Sequence, residues 1–290
     1  MEYALIIGTV ILFSIQTLSF KVFNRHFMLN LDSYYLFNSL YFSVSVAVFA
    51  LSNTVWEPVR LLTVLMAGGF GILFLAAILL YMRAMALGPL SYTTLLFSLA
   101  LLVPILFGAL FWREPVRPLQ AVGLVLLLLT FMLAGRSDND DKRPNLRWLL
   151  LCLAACLGNG SLMTLSKAHQ MQDPGLEIEE FLIIAFGTAA LLSLLLFLLR
   201  RSRNRVSLTH LRSRRFAWLV LVTGLTTGTG NLIALYLTGR IPAIIQFPSM
   251  SGGIVIVTTI MGAVLYKEQP TRRSALGLLI GLAALVLLSV

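Results

Sequence analysis

"GALFWREPVRPLQAVG" (Gly108–Gly123) and "GAVLYKEQPTRRSALG" (Gly262–Gly277) are one sentence written twice. At a fixed offset Gly108 falls on Gly262, Ala109 on Ala263, Glu114 on Glu268, Ala121 on Ala275 and Gly123 on Gly277, with Trp112 over Tyr266 and Arg113 over Lys267. The echo extends outward. "TLSFK" (Thr17–Lys21) answers "TLSK" (Thr164–Lys167), Asp32 answers Glu179, and "LLYMRAMALGP" answers "ALYLTGRIP". The chain therefore reads as a duplication of a unit about half its length.

The repeated unit is apolar. Of 290 residues, 58% are apolar and 12% charged, and Leu, Val, Ile and Phe come in runs longer than a soluble core helix needs. Hydrocarbon offers no water to a backbone, so a span needs about 20 apolar residues in a helix that satisfies its own N–H and C=O groups. Ten such spans are expected, near 3–22, 33–52, 61–84, 91–112, 118–135, 148–168, 180–199, 216–237, 243–266 and 272–290. The fold class is all-α integral membrane. Residues 1–136 form a first five-helix repeat, 137–146 a linker and 147–290 a second repeat. Five is odd, so the second copy starts from the opposite face, and the ten transmembrane helices form two inverted five-helix repeats about an axis in the membrane plane.

Charge sets the orientation. Of the 22 Lys and Arg residues, 17 fall in the connections after spans one, three, five, seven and nine, and 5 on the other side. The bias puts both termini outside the cytoplasm of a multi-pass protein of the inner (plasma) membrane. The net charge of +10 is thus matched to anionic inner-leaflet lipid, not to nucleic acid. Its densest run is Arg200–Arg215. Met1-Glu2-Tyr3 has no positive n-region and no small-residue cleavage site follows, so the first span is expected to stay in the mature protein. Cys152 and Cys156, four apart on one helix face, cannot readily close a disulfide and read as packing residues.

Two stretches, Ala86–Gly135 and Gly239–Ser289, resemble the two EamA-type modules of the drug/metabolite transporter superfamily. The most recognisable piece is the Glu that closes spans four and nine before a short turn, here Glu114 and Glu268. The resemblance implies a ten-helix inner-membrane carrier with a central cavity walled by both halves, and scaffold roles for the fourth and fifth helices of each. It also implies cytoplasmic termini, against which the charge bias stands. The smallest relatives exchange protons through a buried Glu in their first helix. Span one here, "YALIIGTVILFSIQTLSFKVF", has no acid, which counts against a carboxylate-driven cation antiport.

Ionisable groups are costly in a bilayer, and those present fall near span ends: Lys21, Arg83, Lys167 and His169, where long side chains snorkel. Any ion pair of Glu114 or Glu268 is expected across the turn, to Arg117 or Arg272. A structural role for the two acids is preferred over a gate or proton site. What the spans hold at depth is uncharged polarity, and an unpaired amide in hydrocarbon costs several kcal/mol. Gln16, Asn38, Tyr41, Tyr92, Ser98, Asn159, Thr227, Asn231, Tyr236, Gln246 and Ser249 are therefore candidate solute contacts. Interhelical hydrogen bonding and, for Tyr, interfacial anchoring are the alternatives. Pro104, Pro248, Gly252 and Gly253 are candidate hinges, because proline removes a backbone donor and kinks a helix. Close packing of small residues is the rival reading of the glycines. "AGGFG" (Ala67–Gly71) and "TGLTTGTGN" (Thr223–Asn231) interrupt spans three and eight, corresponding places in the two copies.

No Walker loop, dinucleotide fingerprint or metal-spaced His cluster appears, so neither an enzyme nor a cofactor is implied. The reading is a secondary carrier or exporter of a small polar or zwitterionic metabolite by alternating access. Rivals are a proton-coupled multidrug or organic-cation exporter and a lipid-handling or partner-binding membrane protein without solute turnover. Two fused halves no longer require a dimer.

Overall fold

The computed structural model describes residues 2–28, 30–54, 58–87, 93, 96–134, 145–173, 175–203, 211, 213–266 and 272–289. Tyr92, Glu268 and most of the linker 137–146 lie outside the described residues. The described residues are helical, with no strand among them. In chain order the helices are α1 (Glu2–His26), α2 (Leu31–Ser52), α3 (Leu61–Leu87), α4 (Leu102–Phe111), α5 (Pro118–Ala134), α6 (Leu146–Gln170), α7 (Ile178–Arg203), α8 (Arg214–Thr238), α9 (Ala243–Tyr266) and α10 (Arg272–Ser289).

Seven of them are long and apolar enough to cross a membrane: α1, α2, α6 and α8 whole, Leu61–Ala84 of α3, Ile178–Arg201 of α7 and Ala243–Met261 of α9. Three stretches are shorter apolar helices, Leu96–Phe111, Pro118–Leu133 and Leu276–Ser289. The first is interrupted by a 3₁₀ turn at Leu99–Leu101. Pro104 explains the turn. Its ring crowds the carbonyl four residues back, at Ala100, and it has no N–H to bond there, so the chain tightens locally.

Helix ends follow local chemistry. Asn30 caps α2, its Oδ1 accepting from Ser33 N at 2.8 Å, and Asn145 caps α6 through Trp148 N at 2.8 Å. Pro118 opens α5 at a position whose N–H would have no helical partner anyway. Hydroxyls inside the helices bond back to the preceding turn. Thr17 Oγ1 donates to Phe13 O at 2.8 Å, and Thr164 Oγ1, in the echoed stretch, donates to Gly160 O at 2.8 Å. A Ser/Thr-rich span thereby satisfies its polar atoms without a neighbour.

The described residues fall into two compact units. One comprises Tyr3–Leu75 and Asp173–Tyr236, the other Ala76–Gln172 and Leu237–Val290. Each draws on both halves of the sequence.

In the first unit α2 runs antiparallel to α7. Asn53 Nδ2 donates to Glu180 Oε1 at 2.7 Å at one end, and Arg200 Nε donates to Asp32 Oδ1 at 2.8 Å at the other. Between them Phe42 and Phe49 meet Phe186 edge-on, with ring centroids 5.5 and 5.3 Å apart. Such edge contacts are favoured by the ring quadrupoles. α8 lies parallel to α2, with Ser45 Oγ donating to Gly224 O at 2.9 Å and Gly228 facing Val48. α1 completes the group, with Phe23 stacked on Phe37 at 4.0 Å and Phe13 against Gly230. Glycines make these approaches possible, since association in lipid depends on close packing and not on expelling water.

In the second unit α5 and α10 pack tightly. A Cβ at Gly123 would lie 3.0 Å from Ala284 O, and one at Gly281 3.0 Å from Thr130. Ile105, Leu127, Phe131, Ile244, Phe247 and Leu288 form the core of this unit. Trp148 is buried beside Cys152 and Ala84, its Nε1 donating to Thr93 Oγ1 at 2.8 Å. Cys152 and Cys156 are free thiols, and Cys152 packs as expected.

Candidate polar site and buried ion pair

Within the first unit the structure brings several of the expected polar residues onto three adjoining helices. Asn38 and Tyr41, one turn apart on α2, are 1% and 0% exposed, and Thr227 on α8 is 1% exposed. Tyr41 Oη and Thr227 Oγ1 have no hydrogen-bond partner among the described residues, and Asn38 Nδ2, also without one at bonding distance, lies beside the Tyr34 side chain. Buried polar atoms are nearly always paired, so three orphans on two neighbouring helices require a reason. On α1, Gln16 is half-buried between Phe13, which meets Gly230, and Phe20, whose ring lies 5.6 Å from Tyr41. Spacings of three and four put Phe13, Gln16 and Phe20 on one face of α1.

The surroundings are aromatic. Tyr41 sits 5.2 Å from Phe37 and 4.3 Å from Phe42, centroid to centroid. Asn231 is half-buried further along α8 and donates Nδ2 to Thr227 O at 2.8 Å, which spends one donor on its own helix. Ser193 on α7, fully buried and with Oγ unpartnered among the described residues, was not singled out from sequence. A serine inside an otherwise apolar run carries little signal of its own. The aromatic wall of Phe20, Phe37 and Phe42 was missed as well. Its clue is the spacing of those rings around Gln16, Asn38 and Tyr41.

The remaining candidates belong elsewhere. Tyr236 is half-buried at the end of α8. In the second unit Gln246 is fully buried and donates Nε2 to Thr238 Oγ1 at 2.9 Å. Asn159 is half-buried between Gly158, whose Cβ position is 3.1 Å from Ala77, and Gly160, which is pressed against Val103. Ser98 and Ser249 are half-buried. Pro104 falls in the first turn of α4, after the 3₁₀ turn, and Pro248 lies inside α9. At Gly252 a Cβ would be 2.6 Å from Leu127 and 3.1 Å from Leu285, so close packing accounts for this glycine directly. Gly253 is buried beside it.

The second unit also holds a charged centre. Glu114 Oε1 lies 2.8 Å from Lys167 Nζ, with side chains 12% and 2% exposed respectively. Glu114 Oε2 accepts from Ala243 N at 2.7 Å, and Lys167 donates to Ile241 O at 2.7 Å. The sequence places Lys167 at a span end where it can snorkel and offers Arg117 as the partner of Glu114. The structure buries Lys167 and makes it a partner of Glu114. His169, expected at the interface, is also buried, with Nδ1 3.1 Å from Gln170 Nε2.

Backbone shape delivers the carboxylate. Trp112 N and Glu114 N both donate to Gly108 O at 3.1 Å, and Arg113 adopts the left-handed region at φ 53°, turning the chain back over the end of α4. A Cβ at Gly108 would lie 2.8 Å from Glu114 Oε2. The negative carboxylate thus sits at the positive end of the α9 dipole, facing a first-turn N–H that has no helical acceptor. Among the described residues no group of three or more His, Cys, Asp or Glu is arranged to hold a metal.

With this geometry in place, the chain can be set beside known proteins. A model of the EamA-like transporter family matches residues 146–290, which is half of the chain and spans α6 to α10. The chain belongs to the EamA-like transporter family. Its family is that of the drug/metabolite transporter superfamily domain, and its apolar helices are those of a multi-pass membrane protein. No curated protein matches the chain. A solved structure described as "Crystal structure of protein" is similar over 100% of this chain and 98% of that one, with a TM-score of 0.79 and 16% sequence identity. At that identity the likeness concerns the fold alone.

Proposed function

We propose that this EamA-like protein is a secondary carrier that moves a small polar or zwitterionic metabolite by alternating access. Asn38, Tyr41 and Thr227 provide its first solute contacts, and Gln16 and Asn231 lie within the same helix group. The observation that carries this reading is the set of three buried polar atoms without partners, at Asn38 Nδ2, Tyr41 Oη and Thr227 Oγ1. An amide N–H₂ offers two donors, and each hydroxyl both donates and accepts. Such a set recognises carbonyl, hydroxyl or amide groups, while the rings of Phe20, Phe37 and Phe42 accept an apolar body. Solute entry satisfies atoms that are otherwise buried at a cost. The pattern of few polar groups in a mostly apolar wall is usual for small-molecule sites.

Inverted repeats supply the mechanical side. Two copies of one unit in opposite orientation can exchange conformations, giving two states of like architecture open to opposite sides. Pro104 and Pro248, in the fourth span of each copy but about three turns apart in the alignment, are the hinges of this scheme. The protein sits in the inner membrane with both termini outside the cytoplasm and its Arg200–Arg215 connection against anionic lipid, as the Lys and Arg bias favours.

The test is counterflow in proteoliposomes loaded with amino acids, amides and polyols in turn. Asn38→Ala, Tyr41→Phe and Thr227→Val are each expected to lower transport about tenfold or more, as loss of one hydrogen bond to a bound solute implies. The melting temperatures of Tyr41→Phe and Thr227→Val should stay close to the parent's, because neither hydroxyl has a hydrogen-bond partner among the described residues. Full activity in all three variants would overturn the assignment.

A further inference from the structure

Ser193 on α7 is 0% exposed, and its Oγ has no hydrogen-bond partner among the described residues. A helical serine has the carbonyl four residues back within reach. The buried hydroxyls of Thr9, Ser14, Ser45 and Thr223 all use theirs, at 2.8, 2.6, 3.0 and 2.6 Å. Ser193 does not use Ala189 O, and a donor left unspent in the interior is costly.

The register of α7 on α2 shows what lies across from it. Phe186, Ser193 and Arg200 are spaced by seven residues, close to two helical turns, so they share one face of α7. That face meets α2, where Phe186 packs on Phe42 and Phe49 and Arg200 bonds Asp32. Ser193 falls midway between these contacts, at the level of Ser39 and one residue from Asn38. One turn before it stand Ala189 and Ala190, both small and buried. Ser193 is thus the polar group that α7 brings to the level of the Asn38 amide.

We propose, on the basis of the carrier reading above, that Ser193 is a further solute contact and that with Asn38 it selects the carbonyl oxygen of a neutral solute over a carboxylate. The amide Nδ2 only donates, and the serine hydroxyl has its donor unspent. A carbonyl oxygen has two lone pairs and accepts from both. A carboxylate needs a counter-charge as well, because a charge buried unpaired costs far more than a hydrogen-bonded neutral group. On α2 the one charged residue is Asp32, already bonded to Arg200. Arg200 itself lies about 10 Å along the helix from Ser193. Glu179 and Glu180 occupy the far end of α7. Lys21 on α1 and Arg215 on α8 are exposed.

The experiment measures the melting temperature of the full chain in detergent micelles with acetamide or benzamide and with their matched carboxylates, acetate and benzoate. A solute that binds the folded state raises that temperature by mass action. The parent is expected to be stabilised by an amide and not by its carboxylate. Ser193→Ala without solute should melt at the parent's temperature or above, since the hydroxyl has no bond to lose, yet bind the amide about tenfold more weakly, the effect of one hydrogen bond. Ser193→Cys, a poorer donor of similar shape, should fall between. Equal amide binding by the parent and Ser193→Ala would overturn the proposal, as would a parent that binds neither amide or prefers the carboxylate. A solute-free Ser193→Ala that melts well below the parent would overturn it too, by showing the hydroxyl to be structural. The carrier reading fails differently, through unchanged counterflow in the Asn38, Tyr41 and Thr227 variants.

Discussion

Lys167, at the end of α6, buries its ammonium 2.8 Å from the carboxylate of Glu114, whereas Lys21, at the end of a like-worded stretch of α1, is exposed. The sequence writes the two lysines in the same words, "TLSFK" and "TLSK", yet the structure uses them differently. Equal local sequence fixes the helix and its back-bonded threonine. It does not fix the partner, which arrives from a turn and a helix distant along the chain.

The pair itself makes the first prediction. Removing one member of a buried ion pair leaves an uncompensated charge, so Lys167→Met should cost about 3–5 kcal/mol in stability. The double variant Lys167→Met/Glu114→Gln should cost well under the sum of the single changes, with a coupling of about 1–3 kcal/mol. Unfolding in mixed micelles of increasing SDS fraction measures both, and simple additivity would show that the two residues do not act together.

The Asp32–Arg200 pair should respond more to salt, because Arg200 is 41% exposed even though Asp32 is 4% exposed. Arg200→Gln leaves the buried Asp32 carboxylate without its counter-charge and is expected to cost about 1–3 kcal/mol. The loss should shrink further as salt is added, which a melting series at two ionic strengths would record.

Glycines on one helix should separate into two classes. At Gly71 a Cβ would collide with Ala185 O and lie 2.8 Å from Thr188 Cβ, while at Gly68 nothing lies within 4 Å. Gly71→Ala should destabilise by about 1–3 kcal/mol, because the obstruction is backbone and cannot rotate away. Gly68→Ala should be neutral or stabilising by up to about 1 kcal/mol through helix propensity. Matched melting curves of the two variants make the comparison.

Arg113 supplies a prediction of opposite sign. It holds a left-handed φ of 53° that glycine adopts without strain. Arg113→Gly is expected to raise stability by about 1 kcal/mol, and Arg113→Val to lower it. Thermal unfolding of both variants tests the sign.

The membrane helices were legible because lipid imposes a simple rule: a backbone without water must bond to itself over the thickness of the hydrocarbon. Hydropathy therefore found α1 to α3 and α6 to α9 within a few residues. The short helices were less legible. Within span four, the described stretch Leu96–Phe111 is broken by the 3₁₀ turn at Leu99–Leu101, which Pro104 explains and hydropathy does not show. The polar candidates were readable as residue types, since amides at depth stand out in an apolar run. Their pairing was not. Gln246 finds Thr238 and Asn231 finds its own helix, whereas Asn38, Tyr41 and Thr227 are left open, and only the packing of side chains decides which. Arg117 is the nearer candidate for Glu114 along the chain, and what the sequence did not show is that the left-handed turn at Arg113 presents the acid to α6 and α9.

The most direct test asks whether one buried polar position is reached from both sides of the membrane. In a Cys152→Ala/Cys156→Ala background, Thr227→Cys is treated with a membrane-impermeant thiol reagent applied to one face and then the other, with and without a transported solute. The expected result is labelling from each face and protection by the solute. Labelling from a single face only, or none from either while the protein transports, would contradict alternating access through this site.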